Sequence, residues 1–547
     1  MKKNVRAIIE QVIGKLGGVE RVPVEFEIPR EEKFGDIATP VAMTLSKILK
    51  KSPRKIAEDM VSSLEDEDMF ERIDIAGPGF INFTFSKKYL FSELKDLLSA
   101  KDKFLKKEIG KGKKVQIEFV SANPTGPLHL GHGRGAAVGA ALANLLKAAG
   151  YEVEREYYVN DAGRQVKMLG LSVFAKYQQL LGIEYPFPDD GYRGYYIEGI
   201  AKRIIDLYGN RYSEMSFQEA SEFFSEFSYK AMLREIEEDL KAFGTIFDSW
   251  QSERELYSKN DVDNAIDDLR HRRHLYRQDG ALWFRATAFG DDKDRVIIKS
   301  DGEFTYFASD IAYHRKKIEK GFDEIVDIWG ADHHGYISRL KAVLRAFGYP
   351  PKHLNILLVQ MVTLLRAGKP VQMSKRAGEF VTLREVMDEV GPDTTKFIFL
   401  TRRPDSHLEF DLDVAKAQSA ENPVFYLQYA NARINSIFVR ARDKGISVED
   451  LNGIDLTLLS TPEELRIIKK LLTYPMIFEG AVLSQEPHRI TFYLQELAGL
   501  FHPYYNKFRV LTDDAKLSAA RLALCEAIRM VIKDGLEILG LSAPEKM

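Results

Sequence analysis

One stretch, residues 115–159, constrains this chain more than any other. Residues 115–120 read VQIEFV, a short apolar run suited to a buried strand. A loop at 121–128 follows, carrying Pro124, Gly126 and Pro127. A helical stretch then runs from 131 to 149 and stops at Gly150, and residues 152–159 read as a second strand. Strand, helix and strand in that order make a β-α-β unit, the building block of a parallel sheet.

At 547 residues the chain is too long for one hydrophobic core, and three or four domains are expected. Residues 1–108 read as a small α+β domain. Within it, 1–16 and 38–49 have helical periodicity, and 22–28 alternates like a strand. Residues 73–75 lead through a turn at 76–79 into a returning strand at 80–85. Residues 101–114, with seven lysines in fourteen positions, read as a solvated linker. An α/β domain covers 109–369, interrupted by a helical insertion at about 166–280 with a loop at 185–194. Strand-like segments at 281–285, 295–299, 325–329 and 354–359 are expected to complete its sheet. After residue 383 nearly everything reads as helix. A linking region covers 370–420, and 421–547 is an all-α domain broken near Pro462, Pro487 and Asp513.

Composition excludes several classes. Hydrophobic residues make up 45% and charged residues 29%, as in ordinary soluble proteins. No apolar run reaches membrane-spanning length, and the N-terminus lacks a signal-peptide core. Cys525 is the single cysteine, which rules out an internal disulfide and a Cys-rich zinc module and points to the cytoplasm. A net charge of −3 does not announce a nucleic-acid binder, although His271-Arg272-Arg273-His274 makes a local basic cluster.

The chemistry concentrates in a few segments. Residues 124–135 read PTGPLHLGHGRG. His129 and His132, three apart at a helix start, face one side. Free N–H groups and positive potential at that helix end suit a polyphosphate. Gly131 and Gly133 allow a ring or phosphate close to the backbone. Three other readings compete: a dinucleotide fingerprint at 131–136, which normally follows its strand at once; a metal pair, which lacks a matching carboxylate; and structural histidines. A second segment, 371–376, reads VQMSKR. By itself Lys375 there is a solvated lysine. A third, 330–335, reads GADHHG after a strand. It has the look of a metal phosphoesterase signature, but the further aspartates such enzymes need are missing.

Taken together, His-Leu-Gly-His early and Met-Ser-Lys late resemble the paired signatures of class I aminoacyl-tRNA synthetases. Residues 118–125 (EFVSANPT), 158–165 (YVNDAGRQ), 306–314 (YFASDIAYH), 421–433 (ENPVFYLQYANAR) and 539–547 (LGLSAPEKM) resemble the arginyl family specifically. The resemblance runs from Gly35-Asp36 to the last residue. It implies a Rossmann-like parallel-sheet catalytic core, an N-terminal α+β module touching the tRNA elbow, and a C-terminal helical bundle reading the anticodon. It implies arginine held by Glu118, Ser121, Asn123, His129, Tyr306 and Asp310. ATP, as its Mg2+ complex, is expected at Pro124, Gly126, His129, Gly131, His132, Gly330, Asp332, His333, Met373, Ser374 and Lys375. His129, His132 and Lys375 are the expected catalytic residues, with no tightly bound metal. A planar five-donor guanidinium requires carboxylates and a hydroxyl, which agrees. Glu118 lies inside an apolar strand, where an unpaired carboxylate is costly. The sequence departs from the family at Gln372, where a first loop lysine is usual; Lys113, Lys114 or Arg376 are possible supplements. The family also activates its amino acid only with tRNA present. The implied partners are L-arginine, ATP and tRNA(Arg), with the protein a monomer. Two rivals stand beside this: a metal phosphoesterase and a non-catalytic tRNA-binding relative.

Overall fold

The computed structural model describes residues 2–15, 22–29, 31–64, 67–105, 108–371, 381–419, 421–446 and 453–547. The N-terminal part begins with α1 (Lys2–Lys15), β1 (Ile37–Thr39), α2 (Val41–Leu49) and α3 (Pro53–Ser62). β2 (Phe70–Ala76) and β3 (Phe80–Phe85) then form the expected hairpin, in an antiparallel sheet of order β1-β3-β2. Residues 22–28 do not form the expected strand. Val22 and Val24 are buried, but only Glu27 pairs, in one bridge to Ala38. The alternation there records burial on one side without a partner strand. Ala38 accordingly belongs to β1, and its helix starts at Val41. α4 (Lys87–Ala100) and α5 (Asp102–Leu105) follow, so the lysine-rich linker begins as helix.

The α/β part opens with β4 (Lys114–Glu118), α6 (Leu130–Ala148) and β5 (Glu152–Val159), the expected β-α-β unit. α7 (Arg164–Leu180), α8 (Tyr195–Tyr208) and α9 (Phe217–Ala242) pack into a block with its own apolar cluster. The chain then returns through β6 (Ser249–Ser252), α10 (Glu253–Ser258), α11 (Asp261–His271), β7 (Leu275–Gln278), β8 (Ala281–Phe284) and β9 (Arg295–Ile298). α12 (Tyr306–Glu319), β10 (Glu324–Gly330), α13 (Ile337–Ala346) and β11 (Leu354–Val359) complete it. The sheet is parallel throughout, in the order β11-β10-β4-β5-β6.

Two expectations fail here. The presumed helical insertion contains β6, which is too short and polar to announce itself, yet stacks Trp250 on Tyr157 at 4.4 Å and closes one sheet edge. β8 and β9 do not complete the parallel sheet. They join β7 in a separate antiparallel sheet. The missed signal was Asp279-Gly280, which turns β7 into β8 with φ of +49° and +77°.

Beyond β11 come β12 (Val362–Arg366), β13 (Lys369–Pro370), α14 (Leu383–Val390), α15 (Pro392–Phe399), β14 (Leu408–Asp411) and α16 (Leu412–Lys416). β14 interrupts the expected all-helical tail by pairing in parallel with β12. The bundle consists of α17 (Pro423–Asp443), α18 (Pro462–Ser484), α19 (His488–Lys507) and α20 (Ala515–Ile538). A continuous apolar cluster runs from α1 through the sheet to α20. Asp36 ties the first part to the last: Oδ2 accepts from Phe85 N at 2.8 Å, and Oδ1 lies 2.8 Å from Lys469 Nζ. Among the described residues, no helix is long and apolar enough to cross a membrane.

Candidate active site

Parallel register sets three carboxylates side by side. Asp327 on β10 pairs with Glu118 on β4, and Glu118 pairs with Glu156 on β5. α12 lies against them with Tyr306, Ser309, Asp310, Tyr313, His314 and Lys317 at helical spacing on one face. Lys317 Nζ donates to Glu118 Oε2 at 2.5 Å and to Asp327 Oδ1 at 2.7 Å. Lys320 Nζ reaches Glu156 Oε2 at 2.8 Å, and Tyr313 Oη donates to Glu156 Oε1 at 2.6 Å. His314 Nε2 lies 3.0 Å from Asp327 Oδ2. Burial works against Asp327's charge, but Lys317 and His314 outweigh it and hold its carboxyl at about 2. Burial likewise disfavours the Lys317 ammonium, and Asp327, Glu118 and Glu156 raise it above the usual lysine range. Glu118 moves the other way: burial pushes it up despite Lys317. Glu118 is therefore anchored by an ion pair that its position in an apolar strand did not disclose.

The strand expected through residue 120 ends at Glu118, because Val120 and Ser121 take left-handed backbone, with φ of +69° and +39°. That conformation is strained for a β-branched valine. It turns Ser121 back so that its Oγ donates to Glu118 Oε1 at 2.9 Å and accepts from Tyr158 N at 3.1 Å. Asn160 Nδ2 holds the Ser121 carbonyl at 3.2 Å. Asn123 is exposed and Pro124 buried. Tyr196 of α8 donates to the Thr125 carbonyl at 2.9 Å and lies beside Gly126, so the helical block braces this loop.

His129 is the N-cap of α6. Its Nδ1 accepts from Gly131 N at 3.1 Å and His132 N at 3.4 Å, and its own N–H donates to His132 Nδ1 at 3.4 Å. The two rings stack with centroids 3.6 Å apart. The helix end is thus already capped, contrary to the expectation of free N–H groups there. An Nδ1 that accepts N–H bonds carries no proton, so each neutral ring bears its proton on Nε2. Gly131 sits under the His129 ring. Gly133 serves packing instead of ligand approach: a Cβ there would lie 2.6 Å from Leu383 Cδ1. Arg134, fully buried, donates to the carbonyls of Gln360, Ser406 and Arg403 at 2.8–2.9 Å and ties α6 to the region beyond β11.

Asp310 faces the same space as Glu118. Tyr336 Oη donates to its Oδ2, and burial pushes its carboxyl above the ordinary range. Tyr158 lies between them, its hydroxyl pushed up by burial and by the nearby Glu253, Asp310 and Glu118. Tyr306 stands at the rim, 73% exposed. Lys317, Asp327, Tyr336 and Glu253 were not foreseen. The spacing of Asp310, His314 and Lys317 on one helical face was the available clue.

Gly330 ends β10, and a Cβ there would lie 2.5 Å from Asp332 Oδ1. Asp332 and His333 are exposed, with His333 Nε2 3.6 Å from Asp332 Oδ2. Among the described residues no three His, Cys, Asp or Glu side chains converge as metal ligands. Gln372, Met373, Ser374, Lys375 and Arg376 lie outside the described residues. Their flanks do not. Val371 N donates to the Leu364 carbonyl at 2.8 Å, Thr382 bridges His129, and Leu383 N donates to the Leu128 carbonyl at 2.8 Å. The chain therefore leaves the second signature in direct contact with the first.

A parallel sheet whose first helix is capped by paired histidines, with this return contact, defines a class I aminoacyl-tRNA synthetase core. Residues 93–403 match the family model described as tRNA synthetases class I (R), catalytic domain. Residues 3–85 match the arginyl tRNA synthetase N terminal domain, and 427–547 the DALR anticodon binding domain. The chain belongs to the arginyl-tRNA synthetase family. It is 50% identical over 555 residues to the arginine–tRNA ligase of Citrifermentans bemidjiense, covering all of both chains. To that of Geobacillus thermodenitrificans it is 47% identical, covering all of this chain and 99% of the other. The structure of Thermus thermophilus arginyl-tRNA synthetase shares the fold, with a TM-score of 0.80 at 23% identity over all of both chains.

Proposed function

We propose a division of labour among the residues of an arginine–tRNA ligase. The chain joins L-arginine to the 3′-terminal ribose of tRNA(Arg), consuming ATP and giving AMP and pyrophosphate. Chemistry proceeds in two steps. The arginine carboxylate attacks the α-phosphate of Mg-ATP, and a terminal ribose hydroxyl of tRNA then attacks the arginyl-adenylate. Positioning and charge stabilisation carry the rate, with no covalent enzyme intermediate.

Arginine's guanidinium docks on Asp310 and Glu118, with Tyr306 at the rim and Ser121 fixing Glu118. Asn123 and His129 take its α-amino and carboxylate end. The observation that carries this is the pairing of buried carboxylates with hydroxyls, Ser121 Oγ on Glu118 and Tyr336 Oη on Asp310, with Tyr158 close to both. The Nε2 protons of both histidines suit phosphate oxygens, beside Pro124, Gly126 and Gly131. Gly330, Asp332 and His333 hold the ribose. Met373, Ser374 and Lys375 bind the ATP phosphates, as the family resemblance implies, with Lys375 acting as pyrophosphate leaves. The bundle reads the anticodon. A 740 Å³ cavity lined by Phe425, Tyr426, Tyr429, Arg433, His502 and Asn506 supports that role, because aromatic and guanidinium planes stack on bases. The N-terminal domain touches the tRNA elbow. The protein works as a monomer in the cytoplasm, in keeping with its lone buried Cys525.

tRNA also switches on activation. Asp413, beside the start of α16, accepts from Ala367 N at 2.6 Å, and Lys416 reaches Glu389 Oε1 at 2.7 Å. The linking helix next to the bundle thus holds the turn that leads into the Met-Ser-Lys segment. tRNA docking there favours the activation-competent state through differential affinity. The test is charging of total tRNA with each of the twenty amino acids, paired with ATP–pyrophosphate exchange. Only arginine is charged, and exchange with arginine requires tRNA. Charging of another amino acid, or full exchange without tRNA, overturns the corresponding part.

A further inference from the structure

Lys396, on α15, is only 2% exposed and makes no ion pair among the described residues. Burial lowers its ammonium to about 8, with Asp393 working the other way. Two long helices end on it. α9 and α20 each close with a left-handed glycine, Gly244 at φ +73° and Gly540 at φ +68°. Thr245 N donates to the Leu240 carbonyl at 2.8 Å and Leu541 N to the Leu536 carbonyl at 2.8 Å, so both ends finish in the same Schellman turn. A Cβ at Gly244 would lie 3.0 Å from Lys396 Nζ, and one at Gly540 would lie 3.4 Å from it. Nζ donates to the Gly540 carbonyl at 2.8 Å and lies 5.3 Å from the Phe243 ring centroid. The negative ends of two helix dipoles thus meet one ammonium.

α9 belongs to the helical block, α20 to the bundle and α15 to the linking region, so Lys396 joins three parts of the molecule. α6, which starts at the two histidines, touches the same place. Its Asn144 donates to the Glu537 carbonyl near the end of α20 at 3.5 Å. Phe399 of α15 lies against Gly133, where a Cβ would be 3.1 Å from its ring. From Gly540 the chain runs on to the bundle cavity. Asp393, one turn before Lys396, accepts from Ser542 N at 3.1 Å and from Gln428 Nε2 at 2.9 Å. Asn431 Nδ2 donates to the Pro544 carbonyl at 2.8 Å, and Met547 lines the cavity with Tyr426 and Arg433. A buried ammonium is costly, and an apolar residue of similar size would fill the space without that cost. What the ammonium adds is direction: it holds one carbonyl and two helix ends in a single arrangement.

We propose that Lys396 is a positioning residue for aminoacylation, passing the state of the bundle cavity to α6 through the ends of α20 and α9. This rests on the bundle reading the anticodon, as assigned above. A tRNA seated against Tyr426, Arg433 and Met547 bears on the tail and on α20. Lys396 carries that to α15 and so to α6 and its histidines. Arginine and ATP do not touch Lys396. Its loss therefore leaves their binding alone and lowers the rate gained from a correct anticodon.

The experiment charges two tRNA(Arg) transcripts, one native and one with its anticodon bases replaced. It uses the full-length protein and its Lys396→Met and Lys396→Gln variants, and measures kcat, the KM for tRNA, arginine and ATP, and thermal unfolding. In Lys396→Met the kcat advantage of the native anticodon should shrink about tenfold, an ordinary coupling between two sites. The KM values and the rate with the replaced anticodon should stay unchanged. Lys396→Gln keeps a donor for the Gly540 carbonyl and should keep part of the advantage, and it decides the matter if Lys396→Met does not fold. An equal fall for both tRNAs, an undiminished advantage, or loss of folding in both variants makes Lys396 a packing residue and overturns the proposal. If the unaltered protein does not distinguish the two tRNAs, the anticodon assignment fails and the proposal falls with it.

Discussion

Two groups of buried carboxylates meet on α12 and are built differently. Asp327, Glu118 and Glu156 line up across three strands, and the chain supplies Lys317 and Lys320 as their counter-ions. Asp310 and Glu253 lie near the start of α12, receive hydroxyls from Tyr336 and Ser309, and have no ion pair among the described residues. In the first group Asp327 and Glu156 are held below the ordinary carboxylate range by their ammoniums and hydrogen bonds, while burial raises Glu118 despite Lys317; both members of the second are pushed toward the protonated form by burial. The contrast separates architecture from function. A counter-ion within the chain makes a carboxylate part of the frame, and an anion without one marks where a cationic ligand goes. Glu118 belongs to both. It shares a single ammonium with Asp327, so the frame itself leaves negative charge facing the pocket.

The sharpest break of this contrast is Lys317→Met. Two buried carboxylates then lose their shared partner, and stability should fall by about 3–5 kcal/mol. Urea unfolding followed by tryptophan fluorescence reads this, because Trp250 and Trp329 lie on β6 and β10 of the same sheet. A loss below about 1 kcal/mol, the value of an exposed pair, would show that the frame does not depend on its ammonium.

Asp310→Asn probes the other group, with the opposite signature. It removes an anion that the free protein holds at a cost, so unfolding should be unchanged or slightly harder. The kcat/KM for arginine should nevertheless fall at least about tenfold. Destabilisation comparable to that of Lys317→Met, with normal arginine kinetics, would dissolve the distinction between the two groups.

The sequence carried these groups unevenly. Glu118 stood out as a charge in an apolar strand and the two histidines as imidazoles at a helix start, while Asp310 was pointed to by the family resemblance alone. The β-α-β unit was legible from period alone. Lys317 was not, because a lysine on an amphipathic helix ordinarily reads as solvated. Its burial follows from parallel register between β10 and β4, which single-strand periodicity does not encode. Glu253 was hidden for the same reason. It follows β6, a four-residue polar strand recognisable only through its pairing with β5. The capping role of His129 was lost to a more familiar association of helix N-termini with phosphate. Histidine seldom caps helices, so no propensity argument points to it.

The smallest effect expected is in pH, and it bears on both groups at once. Asp327 titrates at about 2, lowered from its ordinary value, so its stabilisation is complete above that value and lost only as pH falls through about 2. Asp310 and Glu253 are raised, chiefly by burial. In the free protein their protonation is favourable, so they add stability below their unfolded values and lose it as pH rises through the raised ones. Acidification from neutrality toward the ordinary carboxylate range therefore protonates these two, and Glu118 with them, ahead of Asp327 and Glu156. The arginine site loses its charge while Asp327 and Glu156 keep theirs. Arginine affinity should weaken in that window, and binding should release protons, because the guanidinium favours the ionised carboxylates. Calorimetric titration of arginine in buffers of different ionisation enthalpy measures that release, with circular dichroism recording the fold at each pH. Proton release should shrink in Glu253→Gln and again in Asp310→Asn. Arginine affinity that holds constant until the protein itself unfolds would mean the two groups titrate alike, and that the ligand's charge meets its partner elsewhere.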